Sequence, residues 1–256
     1  MKRIGAEAAS DSGIWLLAEH AARVAAGEWS DPHWASVVWG CHFEGADAST
    51  TFTDVKGATG TAVGNASIQT DTSKFGASSG YFDGTGDYVT YPDSVNYEFD
   101  GSFTLSGWVS LTPTGSLDTS QPVPISKGSA ADSSFWGVQI LQSQLYFYAK
   151  TAAGASSYLN LNYGKSVVGG WHHIEVGRSA SNLYLFLDGT LLGSTSSAST
   201  PELFGTIGAN ANTLTLGAWG TGANPYLGYL DDWLITKGVC RHTASFTPPA
   251  APFRDY

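Results

Sequence analysis

The sequence is poor in charge, and most of all in positive charge. Asp, Glu, Lys and Arg make up 13% of its 256 residues, about half of the ~25% that is typical of globular domains. Only 12 residues are Lys or Arg, against 22 Asp and Glu, and the formal net charge is −10 at pH 7. Binding to nucleic acid needs a patch of cations that neutralises phosphates. We therefore expect no nucleic-acid partner.

Long apolar runs and cysteine-rich motifs are also missing. No apolar run approaches the ~20 residues that a membrane-spanning helix needs, and residues 1–20 lack the apolar core and cleavage site of a signal peptide. The two cysteines, Cys41 and Cys240, form no CxxC pair, which argues against a zinc site. They lie in the first and last predicted strands and would approach each other if those strands pair. Two small buried thiols are the favoured interpretation.

Glycine and aromatic residues are abundant, and apolar residues alternate over short stretches. Residues 171–193 show this best, because they predict two strands that are joined through a turn and followed by an Asp188-Gly189 hairpin turn. In the second strand, alternate residues share one apolar face: Leu183, Leu185 and Leu187. About a dozen such strands follow residue 36, and no convincing helix occurs after residue 35. The pattern predicts an all-β sandwich or jelly roll.

Residues 1–35 differ from the rest of the chain. Apolar residues recur at helical spacing between Ile14 and Ala25, which predicts a short helix. We divide the chain into an N-terminal arm, residues 1–35, and a β domain, residues 36–256. The arm either packs on the domain or docks on another subunit. We expect it to serve assembly, through four apolar side chains: Trp15, Leu17, Trp29 and Trp34.

Several motifs occur in a specific order: FTLSGWV, WHHIEVGRSASNLYLFLDGTLLG, LTLGAWG and YLGYLDDWLITKGVCRHTASFTPP. In this order they resemble the laminin G-like group of the concanavalin A-like lectin/glucanase superfamily, over roughly residues 37–256. The resemblance implies a jelly-roll sandwich of two curved antiparallel sheets. It also implies that the first strand, residues 37–43, and the last long strand, residues 227–236, are neighbours in one sheet.

The closing segment, GYLDDWLITKGVCRHTASFTPPAAPF, looks most like members of this group in tailed-bacteriophage genomes, and residues 12–32 resemble a segment of phage structural proteins. This resemblance implies a non-enzymatic virion protein, either a capsid decoration or fibre protein or a tail or baseplate component, exposed on the particle surface. We expect virion proteins as partners of the arm, host-surface glycan as a further partner, and a homo-oligomer. A carbohydrate-binding lectin module for adsorption is the alternative, and a glycan hydrolase is the least favoured.

Catalysis is disfavoured by the arrangement of the carboxylates. Glucanases of this superfamily carry two carboxylates on one strand face in a Glu-x-Asp-x-x-Glu motif, and no Glu-x-Asp occurs here. Glu175 is isolated in its strand. Asp231 and Asp232 are adjacent and should therefore point to opposite faces. Of the pair His172-His173, we expect His172 to be the packed histidine. We predict that the chain is not an enzyme.

Three carboxylates are candidates for a metal site: Glu44, Asp231 and Asp232. The family resemblance implies a structural Ca²⁺ where the first and last strands meet. Carboxylates and backbone carbonyls of residues 45–47 could supply the six to eight oxygens that Ca²⁺ takes. The alternative is that these side chains are solvated acids in turns.

A set of aromatic side chains is the candidate for ligand binding, because sugars lay their C–H faces on aromatic rings. The set lies near strand ends or on the less apolar strand faces: Trp136, Tyr146, Tyr148, Tyr158, Trp219 and Tyr226. Amides lie nearby in the sequence: Gln139, Gln142, Asn160 and Asn162. The alternative for each single ring is packing within a core that fills two inner faces.

Overall fold

The structure, a computed structural model, describes residues 31–112, 121–141, 143–151, 153, 156–162 and 167–254. These residues form two eight-stranded antiparallel sheets, with short 3-10 helices at Trp34–Ser36, Val95–Tyr97 and Pro201–Leu203. In chain order the strands are β1 (Val37–Cys41), β2 (Thr51–Thr53), β3 (Thr59–Val63), β4 (Ser67–Gln69), β5 (Ser79–Asp83), β6 (Tyr88–Tyr91), β7 (Phe103–Leu111), β8 (Ile125–Lys127), β9 (Phe135–Leu141), β10 (Gln144–Lys150), β11 (Ser156–Asn162), β12 (His172–Arg178), β13 (Asn182–Leu187), β14 (Thr190–Ser196), β15 (Leu214–Leu216) and β16 (Leu227–Lys237).

The strand order confirms the predicted two-sheet sandwich. The first sheet, called sheet A, has the order β14-β13-β12-β7-β16-β5-β4, with β1 also paired to β16. The second, sheet B, has the order β11-β10-β9-β8-β15-β6-β3-β2. Many neighbouring strands are far apart in the chain, which is the crossover pattern of a jelly roll. No helix in the described ranges is long and apolar enough to cross a bilayer.

Strands β1 and β16 pair antiparallel, as the sequence predicts. Val37 lies opposite Thr236 in this pair, and Cys41 lies opposite Trp233. Both cysteines are free thiols. Cys41 is buried in the main core, whereas Cys240 follows β16 and is half-buried beside Gly177.

The main hydrophobic core lies between the sheets and is filled by alternate residues of the facing strands. Ile174 and Val176 of β12 point into it, together with Leu183 and Leu185 of β13. Gly107 is needed at its place in β7, because a Cβ there would lie 2.2 Å from the indole of Trp233. The alternation of residues 171–193 therefore places the predicted leucine face inward.

The outer face of sheet A is covered by residues 238–254, which we call the C-terminal strap. The strap is held by the backbone of Phe246, whose N–H donates to the Gly189 carbonyl at 2.8 Å. Its far end lies on β1, where the Phe253 ring occupies the space above Gly40. An added Cβ at Gly40 would be 2.9 Å from that ring. The covered face explains why residues on both sides of sheet A are buried.

The strap reverses the expectation for the two histidines of β12. His173 is the buried one, since it lies on the outer face beneath the strap and its ring meets Phe246 edge to face. His172 lies at the start of the strand, and its Nδ1 is 2.9 Å from Asp188 Oδ2 with the side chain partly exposed. The prediction that His172 is the packed histidine is wrong, because the sequence does not show which outer residues a distant segment covers.

The last residues of the predicted arm contact the sandwich. The Asp31 carboxylate pairs with the Arg241 guanidinium of the strap, with Nη2 and Oδ2 2.6 Å apart. Lys56 Nζ lies 3.5 Å from the ring centroid of Trp34. The predicted helix and Trp15, Leu17 and Trp29 lie outside the described residues.

Candidate functional site: an aromatic strip and an acidic cavity

Three tyrosines form a strip on the outer face of sheet B. Tyr148 of β10 lies opposite Tyr158 of β11, and Tyr146 shares their face because it is two residues from Tyr148. Ring centroids are 6.2 Å apart for Tyr148 and Tyr158, and 6.0 Å apart for Tyr146 and Tyr158. Tyr158 is 58% exposed, and it is one of two large hydrophobic residues in the described part of the chain that are exposed. We call these residues and Trp219 the aromatic strip.

Trp219 gives the strip a packed base. Its indole covers Gly137 of β9, where an added Cβ would lie 2.3 Å from the ring. It meets Phe135 and Tyr148 edge to face, at centroid distances of 5.7 and 6.3 Å. These residues belong to a second apolar cluster that is separate from the main core. The buried base supports Tyr148 directly, and Tyr158 in turn lies beside Tyr148.

Polar groups flank the strip. The Tyr146 hydroxyl donates to Gln144 Oε1 at 2.6 Å. Gln139, two positions from Gly137 on the same face, donates through Nε2 to Gln121 Oε1 at 3.4 Å. In the strand register Asn160 lies opposite Tyr146. Gln142 and the side chains of Asn160 and Asn162 are outside the described part of the structure.

Two members of the predicted aromatic set are core residues. Trp136 is fully buried between the sheets, and its Nε1 donates to the Tyr97 carbonyl at 2.8 Å. Tyr226 is also fully buried, and its ring packs edge to face on Phe82. Neither ring can lie against a ligand in this structure. We therefore remove both from the candidate set, because Trp136 faces inward from β9 and Tyr226 packs into the main core just before β16.

A β-bulge brings the two adjacent aspartates to one cavity. The pairing of β16 with β7 shifts between Asp231 and Leu234, and Asp232 has a positive φ of 51°. A bulge breaks the alternation of a strand, so the expectation that these carboxylates point to opposite faces is wrong. Asp231 Oδ2 accepts the backbone N–H of Lys74 at 2.7 Å. Asp232 Oδ1 lies 2.7 Å from His42 Nδ1.

The cavity at the bulge has a volume of about 450 Å³ and is lined by all three predicted metal ligands, Glu44, Asp231 and Asp232. Burial raises the pKa of Asp231 to about 7, with a further contribution from the charges of Asp232 and Glu44. Among the described residues, however, no group of three or more His, Cys, Asp or Glu is arranged to hold a metal ion. The carboxylates already accept hydrogen bonds from Ala77, Phe75 and Phe253 N–H groups. Calcium at this cavity stays a prediction.

Sequence reasoning missed the other walls of this acidic cavity. His42, Phe75 and Phe253 line it together with the carboxylates. The Phe253 ring stacks on His42 at a centroid distance of 4.0 Å. These three residues come from distant parts of the chain, so no local pattern joins them.

One serine–histidine contact occurs on the outer face of sheet A. Ser106 Oγ lies 3.0 Å from His173 Nε2. A nucleophilic serine needs a base that a third group orients and that titrates near neutral pH. His173 Nδ1 has no hydrogen-bond partner in the described part of the chain, and burial lowers the pKa of His173 to about 3. This pair is therefore not arranged as an activated nucleophile.

Known structures share the architecture but not the sequence. A binding domain of botulinum neurotoxin serotype G matches with a TM-score of 0.59 at 12% identity, over 82% of this chain and 48% of that one. The binding domain of Paraclostridial Mosquitocidal Protein 1 matches with a TM-score of 0.60 at 13% identity, over 83% and 50%. The botulinum neurotoxin serotype D ligand binding domain, solved in complex with N-acetylneuraminic acid, matches with a TM-score of 0.57 at 12% identity, over 84% and 49%. The chain thus spans about half the length of these structures.

The family of the chain is identified from its sequence. No curated protein sequence matches the chain significantly. A laminin G-like family model, described as the concanavalin A-like lectin/glucanases superfamily, matches residues 83–241, which is more than half of the chain. That range contains β7 to β16, including both strands of the aromatic strip. The chain belongs to the concanavalin A-like lectin/glucanase superfamily.

Proposed function

We propose that this chain is a non-enzymatic, lectin-like binding module that binds glycan on the aromatic strip. The observation that carries the proposal is the position of Tyr158, which is 58% exposed beside Tyr146 and Tyr148 on a packed base. Large exposed aromatic rings cost hydration free energy and are typical of binding surfaces. Trp219 and Tyr148 are packed before binding, so these two rings lose little conformational entropy when a ligand docks.

The chemistry of the strip favours a hydroxylated ligand over an aliphatic protein surface. Each tyrosine combines an apolar ring with a hydroxyl group, and Gln144 and Gln139 add amide groups at the margins. Sugars offer the matching combination of C–H faces and hydroxyls. The serotype D neurotoxin domain, which shares the fold, was solved with N-acetylneuraminic acid. That complex supports glycan as the ligand class by analogy of fold only.

The absence of enzyme activity is part of the proposal. The sequence has no Glu-x-Asp-x-x-Glu motif. Glu175 is buried and paired with His242 of the strap, at 2.9 Å between Oε1 and Nδ1. Hydrolysis of a glycosidic bond needs two accessible carboxylates that flank the bond. In the acidic cavity, Asp231 and Asp232 are buried, and each accepts a backbone N–H group. Binding without turnover is the activity that these side chains support.

We further propose that the module is displayed on a tailed-bacteriophage particle, as a capsid decoration, fibre, tail or baseplate protein. The support is the likeness of residues 228–253 and 12–32 to phage structural proteins. The arm would join the module to other virion proteins or to further copies of itself. Mass spectrometry of purified virions tests this: we expect the chain at a defined copy number, and its absence from the particle would contradict the proposal.

A glycan array with the purified full chain tests the binding proposal. We expect selective binding to a subset of glycans, and Tyr158→Ala or Tyr148→Ala should weaken it about tenfold or more, as loss of a central aromatic contact does. Val95→Ala is the matched control, since Val95 is the other exposed large hydrophobic residue and its carbonyl accepts a hydrogen bond from Lys237 of sheet A. No binding to any glycan, or equal binding by the tyrosine variants and the wild type, would contradict the proposal.

A further inference from the structure

The middle of the C-terminal strap, residues 242–249, lies between two firmer attachments. We call this segment the strap centre. Arg241 pairs with Asp31 at one end of it, and the Phe253 N–H donates to Asp232 Oδ2 at the other. The strap centre has no regular secondary structure, and more than half of its residues are exposed. Irregular, exposed segments with few buried contacts open locally more readily than the strands of a sheet.

The strap centre covers an imidazole that is arranged to stay neutral. His173 is 2% exposed, and its ring lies beside the rings of Trp108 and Phe246, at centroid distances of 5.1 and 5.7 Å. Its Nε2 is 3.0 Å from Ser106 Oγ, whereas its Nδ1 has no hydrogen-bond partner in the described part of the chain. An imidazolium donates from both nitrogens. A proton added to His173 beneath the closed strap centre would therefore leave one charged donor unsatisfied.

The charged groups around His173 do not compensate for a buried imidazolium. Burial lowers the pKa of His173 to about 3; Asp188 raises this pKa by a smaller amount, and His242 and Lys74 lower it further. The other charged groups that line the cavity beneath the strap contact different side chains: Arg241 contacts Asp31, Asp232 contacts His42, and Glu175 contacts His242. The imidazole can be protonated near neutral pH only when it reaches water.

Lifting of the strap centre returns His173 to water, where an imidazole takes up a proton below about pH 6.5. Proton uptake then favours the lifted form, by up to about tenfold for each pH unit below that value. The contribution of His173 to closure is thus complete above pH 6.5 and is lost as the pH falls toward 3. We propose that the strap centre is an acid-released cover, which lifts from sheet A when His173 is protonated and before the sandwich itself unfolds. The rings of Trp108 and Phe186 then lose part of their cover.

Glu175 should act on the strap centre in the opposite sense. Its carboxylate is buried on the same face of β12, and both of its oxygens lie within 3.1 Å of His242 Nδ1. Burial raises the pKa of Glu175 above 4.5, against smaller effects of His242 and Arg241. Its contribution to closure is therefore complete below about pH 4.5 and is lost as the pH rises through the raised value. Glu175→Gln removes this opposing contribution and should make the response to acid steeper.

Hydrogen exchange of the full chain tests the proposal through two backbone amides. The Phe246 N–H, which donates to the Gly189 carbonyl at 2.8 Å, reports on the strap centre. The Ile140 N–H, which donates to the Pro122 carbonyl at 3.0 Å, reports on sheet B. We expect Phe246 to be less protected than Ile140 at every pH. We also expect about 1 M urea to leave its exchange nearly unchanged, because lifting exposes little surface. Between about pH 7 and pH 5, its protection factor should fall about 20-fold in Glu175→Gln and by less in the wild type.

Variants decide whether His173 is the group that responds to acid. In His173→Gln, combined with Glu175→Gln, no imidazole titrates at this place, so the fall in protection should disappear. Glu202→Gln is the control, since Glu202 does not line the cavity beneath the strap. If the His173 variant does not fold, Phe246→Ala takes its place, and loss of the covering ring should raise the pKa of His173 toward 6.5, as followed by nuclear magnetic resonance. Equal protection of Phe246 and Ile140, an acid response that persists without His173, or an unchanged pKa in Phe246→Ala overturns the proposal.

Discussion

His173 of β12 and Trp108 of β7 lie opposite each other in sheet A, and their rings meet edge to face with centroids 5.1 Å apart. Phe246 of the strap covers His173 from the outside. This enclosure removes the imidazole from water and lowers its pKa from 6.5 to about 3. The nearby charges have smaller effects: Asp188 raises the pKa, whereas His242 and Lys74 lower it. The burial of one histidine thus makes the stability of the fold depend on pH.

We predict that His173→Gln reduces the loss of stability in acid. The unfolded chain takes up a proton on His173 below about pH 6.5, and the folded chain does not until about pH 3. The contribution of this group is therefore complete above pH 6.5 and is lost as the pH falls toward 3. By about pH 4 the loss is about 3 kcal/mol. Denaturant unfolding of both proteins at several pH values measures it, and identical pH profiles would contradict the prediction.

Asp231 should make the stability of the fold depend on pH in the opposite sense to His173. Its folded pKa is raised from 3.8 to about 7, so its contribution is complete below about pH 3.8 and is lost as the pH rises through 7. Asp231→Asn keeps an oxygen to accept the Lys74 N–H and removes the charge. We expect the variant to gain about 4 kcal/mol relative to the wild type between about pH 4 and pH 8. The pH dependence of the melting temperature checks this, and a constant difference across that range would refute it.

The sandwich could be predicted because alternation specifies which residues of a strand share a face. Leu183, Leu185 and Leu187 lie inward as their pattern predicts. When both faces of a strand are apolar, alternation does not show which segment of the chain covers the outer face. Phe186 is buried only because the strap passes over it. The strap has no regular secondary structure, so no periodicity reveals its path.

The candidate sites could be predicted only in part. The family resemblance places Glu44, Asp231 and Asp232 together, and the structure brings them to one cavity. The bulge that makes this possible depends on the positive φ of Asp232. Two adjacent aspartates in a sequence do not predict such a bulge. For the aromatic set, alternation shows that Trp136 and Gly137 lie on opposite faces of β9, but it does not show which face is inward. That becomes clear only in the structure, where Trp219 covers Gly137 on the outer face.

Calcium binding is open to a direct test. An ion that binds only the folded chain stabilises it by mass action. On metal-loaded protein we expect a chelator to lower the melting temperature, and Glu44→Gln should remove that sensitivity. Glu202→Gln is a suitable control, because Glu202 lies in the 3-10 helix Pro201–Leu203, away from the acidic cavity. Equal melting curves with and without chelator would exclude calcium from the acidic cavity.

The contact between Phe253 of the strap and Gly40 of β1 should be disrupted by a single added methyl group, which would lower the stability of the fold. Gly40→Ala would place a Cβ 2.9 Å from the Phe253 ring and 3.0 Å from Leu234 Cδ1. Overpacking of this kind destabilises a fold by about 1–3 kcal/mol. Gly101→Ala is the matched control, since a Cβ there meets nothing within 4 Å. The combination with Phe253→Ala should cost less than the sum of the two single changes. If the losses of stability from Gly40→Ala and Phe253→Ala were strictly additive, the Phe253 ring would not lie over Gly40.

The boundary of the arm gives the last prediction. The pairs Asp31–Arg241 and Trp34–Lys56 join residues 31–36 to the sandwich, so the assembly function is expected of residues 1–30 alone. We predict that deletion of residues 1–30 leaves the melting temperature unchanged but prevents joining to the particle or to further copies of the chain. Deletion of residues 1–35 should lower the melting temperature, because Arg241 then loses its carboxylate and Lys56 loses the Trp34 ring. Arg241→Gln in the full chain reproduces the first of these losses without any deletion. If the shorter deletion already melts many degrees lower, residues 1–30 belong to the core of the domain, and the docking role of Trp15, Leu17 and Trp29 loses its basis.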